Sequence, residues 1–281
     1  MNSDRWTAVN ALVRRWGFPL LLLIPGLLSG LLGVGRAAEQ LPKASEVTQR
    51  LIERSQSIAH AAHGPEYTYE KWALRESLDA AGHALTSEEK VYKVTLIAGL
   101  PFNRLVKIQG RELSGEESDR EDAKEERFRQ KFVSADAKKL AARKEGVVTP
   151  ELLGRYQFLV EKRLILSNRS TLVLTFKPKG ASPPSKTIQD RLLNSIAGRL
   201  WVDEEDAETV RLEAGLVEPV SIGWFGVLGS LSRCDMSLAR QRMPDGVWIN
   251  TKQVLLIQYR KLTASLRIRT TEDCRRFRKV E

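Results

Sequence analysis

Hydrophobic and polar residues alternate along most of this chain with a period of two, which is the pattern of β-strands with one buried face. This alternation predicts strands at residues 66–79, 91–98, 102–109, 158–166, 171–177, 198–203, 207–217, 232–240, 247–259 and 263–277. Short runs rich in Gly, Pro, Asn, Asp and Ser join most neighbouring segments, so the strands should pair antiparallel. A sheet of this size must curl to bury its apolar face.

A helical period replaces the alternation in three places. Residues 44–62 place Val47 and Leu51 on one face, a capping threonine followed by proline begins a short helix at 149–157, and 188–196 forms a short crossing. The helices at 44–62 and 149–157 are expected to fill the concave side of the sheet. The predicted fold class is therefore α+β, a curled antiparallel sheet, or incomplete β-barrel, wrapped on a few helices.

Residues 111–146 differ from the rest of the chain in composition. They contain 20 charged residues, ten of each sign. Phe128, Phe132 and Leu140 give them only a thin apolar stripe. We interpret the segment as a charged helical insertion that touches the body along one edge and is dispensable for folding.

The first 37 residues have the parts of an export signal. Basic residues precede an apolar, uncharged run at residues 17–35, and small residues follow at Gly35 and Ala37. This pattern predicts cleavage before Ala38 and a periplasmic protein with one domain at residues 38–281. The apolar run has 19 residues, close to the roughly 20 that span a bilayer, so an uncleaved inner-membrane anchor is the alternative.

Composition narrows the class of protein. Apolar residues make up 42% of the chain and charged residues 28%, which suits a globular domain and excludes a chain disordered throughout. A single apolar stretch of spanning length excludes a polytopic membrane protein. The chain has two cysteines, too few for a disulfide scaffold, and the predicted strand register places Cys234 and Cys274 too far apart to bond.

The sequence offers little catalytic or metal-binding chemistry. No Gly-x-Ser-x-Gly elbow and no nucleophile–base pair can be named, so we predict a protein that is not an enzyme, with no cofactor and no metal. His60 and His63 are at most half a metal site. The acidic run at residues 203–206 could hold calcium, but a turn between two strands favours the same polar residues without an ion.

Several short motifs carry a resemblance to a known group. They are Tyr67-Thr68-Tyr69, Leu78-Asp79-Ala80-Ala81-Gly82, Leu105-Val106, Gly110-Arg111-Glu112-Leu113-Ser114, Gly198-Arg199-Leu200-Trp201-Val202-Asp203, Glu218-Pro219-Val220-Ser221-Ile222-Gly223 and Arg275-Arg276-Phe277-Arg278. Over residues 44–278 the chain resembles exported bacterial outer-membrane lipoprotein-sorting proteins. These are similar to the LolA/LolB periplasmic lipoprotein carriers and to the sensor domain of the RseB regulators.

The resemblance implies a LolA-like half-barrel with a hydrophobic cavity for acyl chains. The implied function is to bind a hydrophobic or acylated ligand, a lipoprotein or lipid, in a carrier or sorting role. The alternative that the resemblance leaves open is a periplasmic sensor or scaffold module that binds a partner protein of the envelope.

Two strands have an apolar face that such a cavity could use. The candidate cavity residues are Leu172, Leu174, Phe176, Val210, Leu212 and Leu216. The same alternation describes an ordinary packed core, so the sequence leaves both interpretations open.

Positive charge is concentrated at the end of the chain. Residues 233–281 contain twelve basic and five acidic residues. Arg267, Arg269 and Arg275 fall on one face of the last strand, and we expect this basic surface to meet an anionic membrane or an acidic envelope partner. Nucleic acid, the other usual partner of a basic patch, is not expected for an exported protein.

Overall fold

The structure, a computed structural model, describes residues 40–60, 67–132, 149–180, 187–222, 229–261 and 264–280. These residues belong to one compact unit, Gln40–Glu281. The export signal predicted at residues 1–37 lies outside the described residues, and so do parts of the charged insertion.

Twelve strands of the described residues form a single sheet. They are β1 (Tyr67–Leu78), β2 (Ala84–Ile97), β3 (Leu100–Ile108), β4 (Arg111–Glu112), β5 (Tyr156–Leu166), β6 (Arg169–Pro178), β7 (Ile196–Asp203), β8 (Glu208–Leu216), β9 (Val220–Ile222), β10 (Gly229–Arg242), β11 (Trp248–Lys261) and β12 (Ala264–Lys279). Their order in the sheet is β4-β3-β2-β1-β12-β11-β10-β8-β7-β6-β5, and β9 pairs with β10.

Every ladder in this sheet is antiparallel, as the short connections predict. The first and last strands, β1 and β12, lie side by side in the sheet, whereas β4 and β5 end it without pairing to each other within the described part. The predicted fold class, a large antiparallel sheet that is not closed and carries a few helices, is therefore confirmed.

Four helices of the described residues accompany the sheet: α1 (Ala44–His60), α2 (Gly115–Lys131), α3 (Pro150–Gly154) and α4 (Ile188–Leu193). Side-chain caps fix where the last three begin. Ser114 and Glu117 form a capping box at α2, Thr187 and Asp190 form another at α4, and the hydroxyl of Thr149 accepts the Leu152 N–H at α3. The predicted helix 149–157 is shorter than expected because β5 begins at Tyr156.

The main apolar core lies between α1 and the half of the sheet that contains β6 and β7. Val47 and Leu51 of α1 pack with buried residues of these strands, Leu172, Leu174, Leu200 and Val202. Phe158, Val160, Phe176 and Leu212 pack around this cluster and are partly buried. Burial of one such aliphatic side chain stabilises the fold by roughly 1.5–3 kcal/mol, so the amphipathic face of α1 fixes the helix on the sheet.

The two cysteines are free thiols, as predicted. Cys234 of β10 lies opposite Ile257 of β11, which lies opposite Ile268 of β12. Cys274 lies further along β12, so a whole strand and a large offset separate the two sulfurs. Among the described helices, none is long and apolar enough to cross a membrane.

Candidate functional site

A groove of about 590 Å³ lies between the β1–β3 part of the sheet, the neighbouring strand β12 and helix α2. Its lining mixes charged, aromatic and aliphatic side chains: Lys71, Ala73, Leu74, Arg75, Glu88, Lys90, Tyr92, Pro101, Phe102, Asn103, Lys124, Phe128, Thr270 and Glu272. The volume falls in the range of about 300–1,000 Å³ that holds small ligands in proteins.

Strand pairing explains why the charged residues of the groove stand together. Three cross-strand pairs join β1 to β2 here: Lys71 with Tyr92, Ala73 with Lys90, and Arg75 with Glu88. On the other side of β1, Glu272 lies opposite Ala73 and Thr270 opposite Arg75. Since alternate residues of a strand and their direct partners share a face, these side chains form one polar strip across three strands.

Polar contacts with β3 hold helix α2 at the groove. The guanidinium of Arg104 binds Asp122 at 2.5 Å and Glu125 at 3.0 Å. The backbone N–H of Leu105 donates to the carboxylate of Glu121 at 3.0 Å. Because Glu121 is buried against the strand and accepts this backbone donor, the helix is attached by a contact specific to this position.

Phe102 and Phe128 form the apolar wall of the groove, and Phe132 packs against Phe128. Phe102 of β3 is buried, and its ring centroid lies 5.1 Å from that of Phe128 on α2. The ring of Phe132 lies 4.7 Å from that of Phe128. The ammonium of Lys124 stands 5.7 Å from the centroid of Phe102, so a cation and an aromatic surface meet at the same edge of the groove.

Ion pairs set the charge of the strip. Lys90 and Glu88 are 2.7 Å apart, and their hydrogen bond raises the pKa of Lys90 and lowers the pKa of Glu88. Lys71 pairs with Glu272 at 3.5 Å and also stands 5.2 Å from the centre of the Tyr92 ring.

Positive charge remains after this pairing. The lining contains four basic residues, Lys71, Arg75, Lys90 and Lys124, and two acidic residues, Glu88 and Glu272. Lys124 is paired with Glu121 of the same helix at 3.2 Å, so among the described residues Arg75 is the lining cation that forms no ion pair. Burial raises the pKa of Tyr92, so its phenol stays neutral at neutral pH and can donate a hydrogen bond. The groove can therefore hold an anionic group beside an apolar one.

The cavity residues predicted from the sequence occupy another part of the sheet. Leu172 and Leu174 are fully buried in the core beneath α1. Phe176 and Leu212 pack against that core, and Val210 and Leu216 of β8 are half-buried. None of the six belongs to the lining of the groove described here. Their role in binding a ligand stays a prediction.

The predicted basic stripe is largely paired within the molecule. Arg269 binds Glu76 through two hydrogen bonds of 2.7 and 3.1 Å. Arg275 binds Asp273 in the same way, and Arg267 donates to the carbonyl of Ala80 at 3.0 Å. Two of the three arginines thus face carboxylates, and the stripe as a membrane-binding surface stays a prediction.

Arginines surround the acidic turn between β7 and β8. Five contacts bring in basic side chains from α1, β5, β6 and β10: Arg54 with Glu208, Arg163 with Glu204, Arg169 with Asp203, Arg240 with Glu208 and Arg242 with Asp206. No group of three or more metal-ligating side chains is placed to hold an ion in the part of the chain that the structure describes. The contacts favour the interpretation as a polar turn. The side chains of His60 and His63 lie outside the described residues.

Sequence reasoning missed the groove. Its one available signal was the run of charged residues at alternate positions of β1 and β2, facing the same side as Ala73 and Tyr92. A half-buried strand normally keeps its charged residues on the face toward solvent. The sequence therefore does not show whether these charges face open solvent or a groove, because that depends on where α2 packs.

Comparison with known proteins gives matches by structure. No protein-family model and no curated protein sequence matches this chain. Its fold is similar to that of an outer membrane lipoprotein-sorting protein domain from Vibrio parahaemolyticus, with a TM-score of 0.35, 10% identity, and coverage of 84% of this chain and 93% of that chain.

Two further solved structures match this chain over most of its length. A LolA superfamily protein from Nitrosomonas europaea matches with a TM-score of 0.27 and 10% identity, over 83% of this chain and 93% of that chain. MucB in its complex with MucA from Pseudomonas aeruginosa matches with a TM-score of 0.24 and 11% identity, over 84% of this chain and 99% of that chain.

Proposed function

We propose that this chain is an exported, non-enzymatic protein of the bacterial envelope that binds an acylated ligand, a lipoprotein or lipid, in a carrier or sorting role. The observation that carries the proposal is the mixed lining of the groove, where Phe102 and Phe128 stand beside Lys71 and Lys124. A lipid has the matching chemistry, because an apolar chain and a charged head are joined in one molecule. The N-terminal sequence pattern supports export.

The two parts of the lining have separate physical roles. The phenylalanine wall removes apolar ligand surface from water, at about 25 cal/mol for each Å² buried. The excess of basic residues attracts an anionic head, and this attraction weakens as salt screens it. A groove of about 590 Å³ suits the head and the first part of one chain of a small amphiphile.

A displacement titration tests the proposal. A fluorescent fatty acid is bound to the compact unit Gln40–Glu281 and displaced by lysophosphatidylglycerol or by lysophosphatidylcholine. We expect Phe128→Ser to weaken both ligands about tenfold, because it removes apolar wall. Lys124→Gln should weaken the anionic ligand about fivefold and leave the zwitterionic one nearly unchanged.

Matched controls keep the test specific to the groove. Arg127→Gln removes a charge from the same helix and Leu159→Ser removes an exposed leucine from β5, and neither residue lines the groove. Both variants should bind as the wild type does. If the wild-type chain binds neither lysolipid, the proposal is wrong, and the alternative of a module that binds a partner protein is favoured.

A further inference from the structure

Two hairpin ends lie next to each other at one end of the sheet. One is the β1–β2 turn, residues 79–83, and the other is formed by the last residues of β11 and the first residues of β12, where Lys261 lies opposite Ala264. The guanidinium of Arg267 on β12 donates to the carbonyl of Ala80 in the turn at 3.0 Å. This bond joins the two hairpins, and we call the pair the joined tips.

The joined tips present apolar side chains to solvent. Leu85, at the start of β2, is 67% exposed, and Leu266, near the start of β12, is 48% exposed. Ala80 and Ala81 of the β1–β2 turn are also exposed. An exposed leucine alone is ordinary in a soluble protein, but these two leucines stand at the ends of two hairpins that are joined by a hydrogen bond.

The same tips carry basic residues that lack a carboxylate partner among the described residues. Arg260 and Lys261 are exposed, and neither forms an ion pair there. This contrasts with six of the eight arginines of β10 and β12, which bind carboxylates: Arg233 with Asp235, Arg240 with Glu208, Arg242 with Asp206, Arg269 with Glu76, Arg275 with Asp273 and Arg276 with Glu70. Positive charge is thus left unpaired beside the exposed leucines.

Hydrogen bonds within the β1–β2 turn hold its backbone in one conformation. Asp79 accepts the N–H of His83 at 2.8 Å through its carboxylate, and its own N–H donates to the carbonyl of His83 at 2.9 Å. Gly82, at φ +95°, adopts the left-handed conformation that this tight turn needs. The one acidic group of the turn is therefore held by hydrogen bonds within it.

We propose that the joined tips dock this protein on an anionic lipid bilayer. The leucines would enter the boundary between head groups and acyl chains, while Arg260 and Lys261 would contact the negative head groups. Shallow insertion of the leucines and attraction of the basic residues to head groups are each weak, and together they give reversible binding at a membrane surface. This inference goes beyond the proposed function, because it needs only a bilayer surface and holds whether or not a ligand occupies the groove.

Co-sedimentation of the compact unit Gln40–Glu281 with vesicles tests the inference. We expect binding to phosphatidylglycerol/phosphatidylcholine vesicles at low salt, weaker binding at high salt, and little binding to pure phosphatidylcholine. Arg260→Gln/Lys261→Gln should lower the partition coefficient about 30-fold. Leu85→Ser/Leu266→Ser should lower it at least tenfold.

Matched double variants provide the controls. Leu159→Ser/Ile165→Ser removes leucine and isoleucine that are 65% and 67% exposed on β5, and Lys252→Gln/Arg278→Gln removes the same charge from the opposite end of the sheet. Both should bind vesicles as the wild type does, and thermal melting should show all four variants folded. The inference is wrong if the tip variants bind like the wild type, or if the control variants lose as much binding. It is also wrong if sedimentation without vesicles shows a dimer that the leucine variant abolishes, because the tips would then cover each other.

Discussion

The carboxylate of Asp203 is the most deeply buried charge of the acidic turn, and its removal should destabilise the fold strongly. Its side chain is 1% exposed. It accepts two hydrogen bonds from the guanidinium of Arg169, at 2.5 and 2.8 Å, and two from the backbone N–H groups of Glu205 and Asp206, at 3.1 and 2.8 Å. Four donors thus converge on one carboxylate.

Substitution of Asp203 by asparagine keeps the shape and removes the charge. The amide nitrogen of asparagine would face donors, so at least one buried N–H would lose its partner. Breaking a buried ion pair costs about 3–5 kcal/mol. We expect about 3 kcal/mol, the low end of this range, because Arg169 keeps its contacts with Glu205 and Asp206. For a domain of this size the melting temperature should fall by about 6–12 °C.

Thermal and urea unfolding followed by circular dichroism measure this effect. The control is Glu205→Gln, which removes a carboxylate that contacts the same arginine at 3.0 Å but is 77% exposed. An exposed pair contributes at most about 1 kcal/mol, so the control should melt within a few degrees of the wild type. Equal destabilisation by the two substitutions would refute the reasoning that burial, and not charge pairing alone, makes Asp203 important.

Three further predictions follow from the same structure. Burial opposes ionisation of Asp203, but the hydrogen bonds from Arg169 outweigh burial and lower the pKa of this carboxyl group. The stability difference between wild type and Asp203→Asn should therefore be complete above about pH 5 and shrink as the pH falls below about 4. Urea unfolding across this pH range measures the difference. Burial raises the pKa of Cys274 to about 11, so maleimide or iodoacetamide should label this thiol slowly at neutral pH in the folded protein. After unfolding, mass spectrometry should find both Cys234 and Cys274 labelled, and a disulfide between them would contradict the prediction. Replacement of residues 111–146 by a Gly/Ser linker should lower the melting temperature less than Asp203→Asn does. It should also weaken lysolipid binding, because Phe102 loses its contact with Phe128 of α2. Loss of soluble protein would show that the segment is needed for folding.

The antiparallel sheet was predictable because alternation is a local signal. Strands such as β6 and β8 carry apolar residues at every second position, and their bounds agree closely with the sequence prediction. The first half of β2 was missed because residues 84–90 are exposed or half-exposed and residues 86–90 are polar on both faces. The two-residue strand β4 and the three-residue strand β9 are too short for any periodicity to appear.

The contacts that define the sites were not predictable, since they join residues distant in sequence. Arg54 and Glu208 form an ion pair across 154 positions, and no pattern within one segment indicates such a partner. The groove depends in the same way on helix α2 returning to β3, where Phe128 meets Phe102. The sequence shows that α2 has a thin apolar stripe, but it does not show which strand that stripe contacts.

Native mass spectrometry of the compact unit Gln40–Glu281 with lysophosphatidylglycerol tests the central claim most directly, because it counts bound amphiphiles. We predict a complex with one bound lysolipid for the wild type and for Leu159→Asp, which alters an exposed residue outside the groove. Phe128→Asp, which places a negative charge in the wall of the groove, should remove that complex while leaving the protein folded. A wild-type chain without bound lysolipid, or a Phe128→Asp variant that binds it as the wild type does, would contradict the assignment of the groove as the site for an acylated ligand.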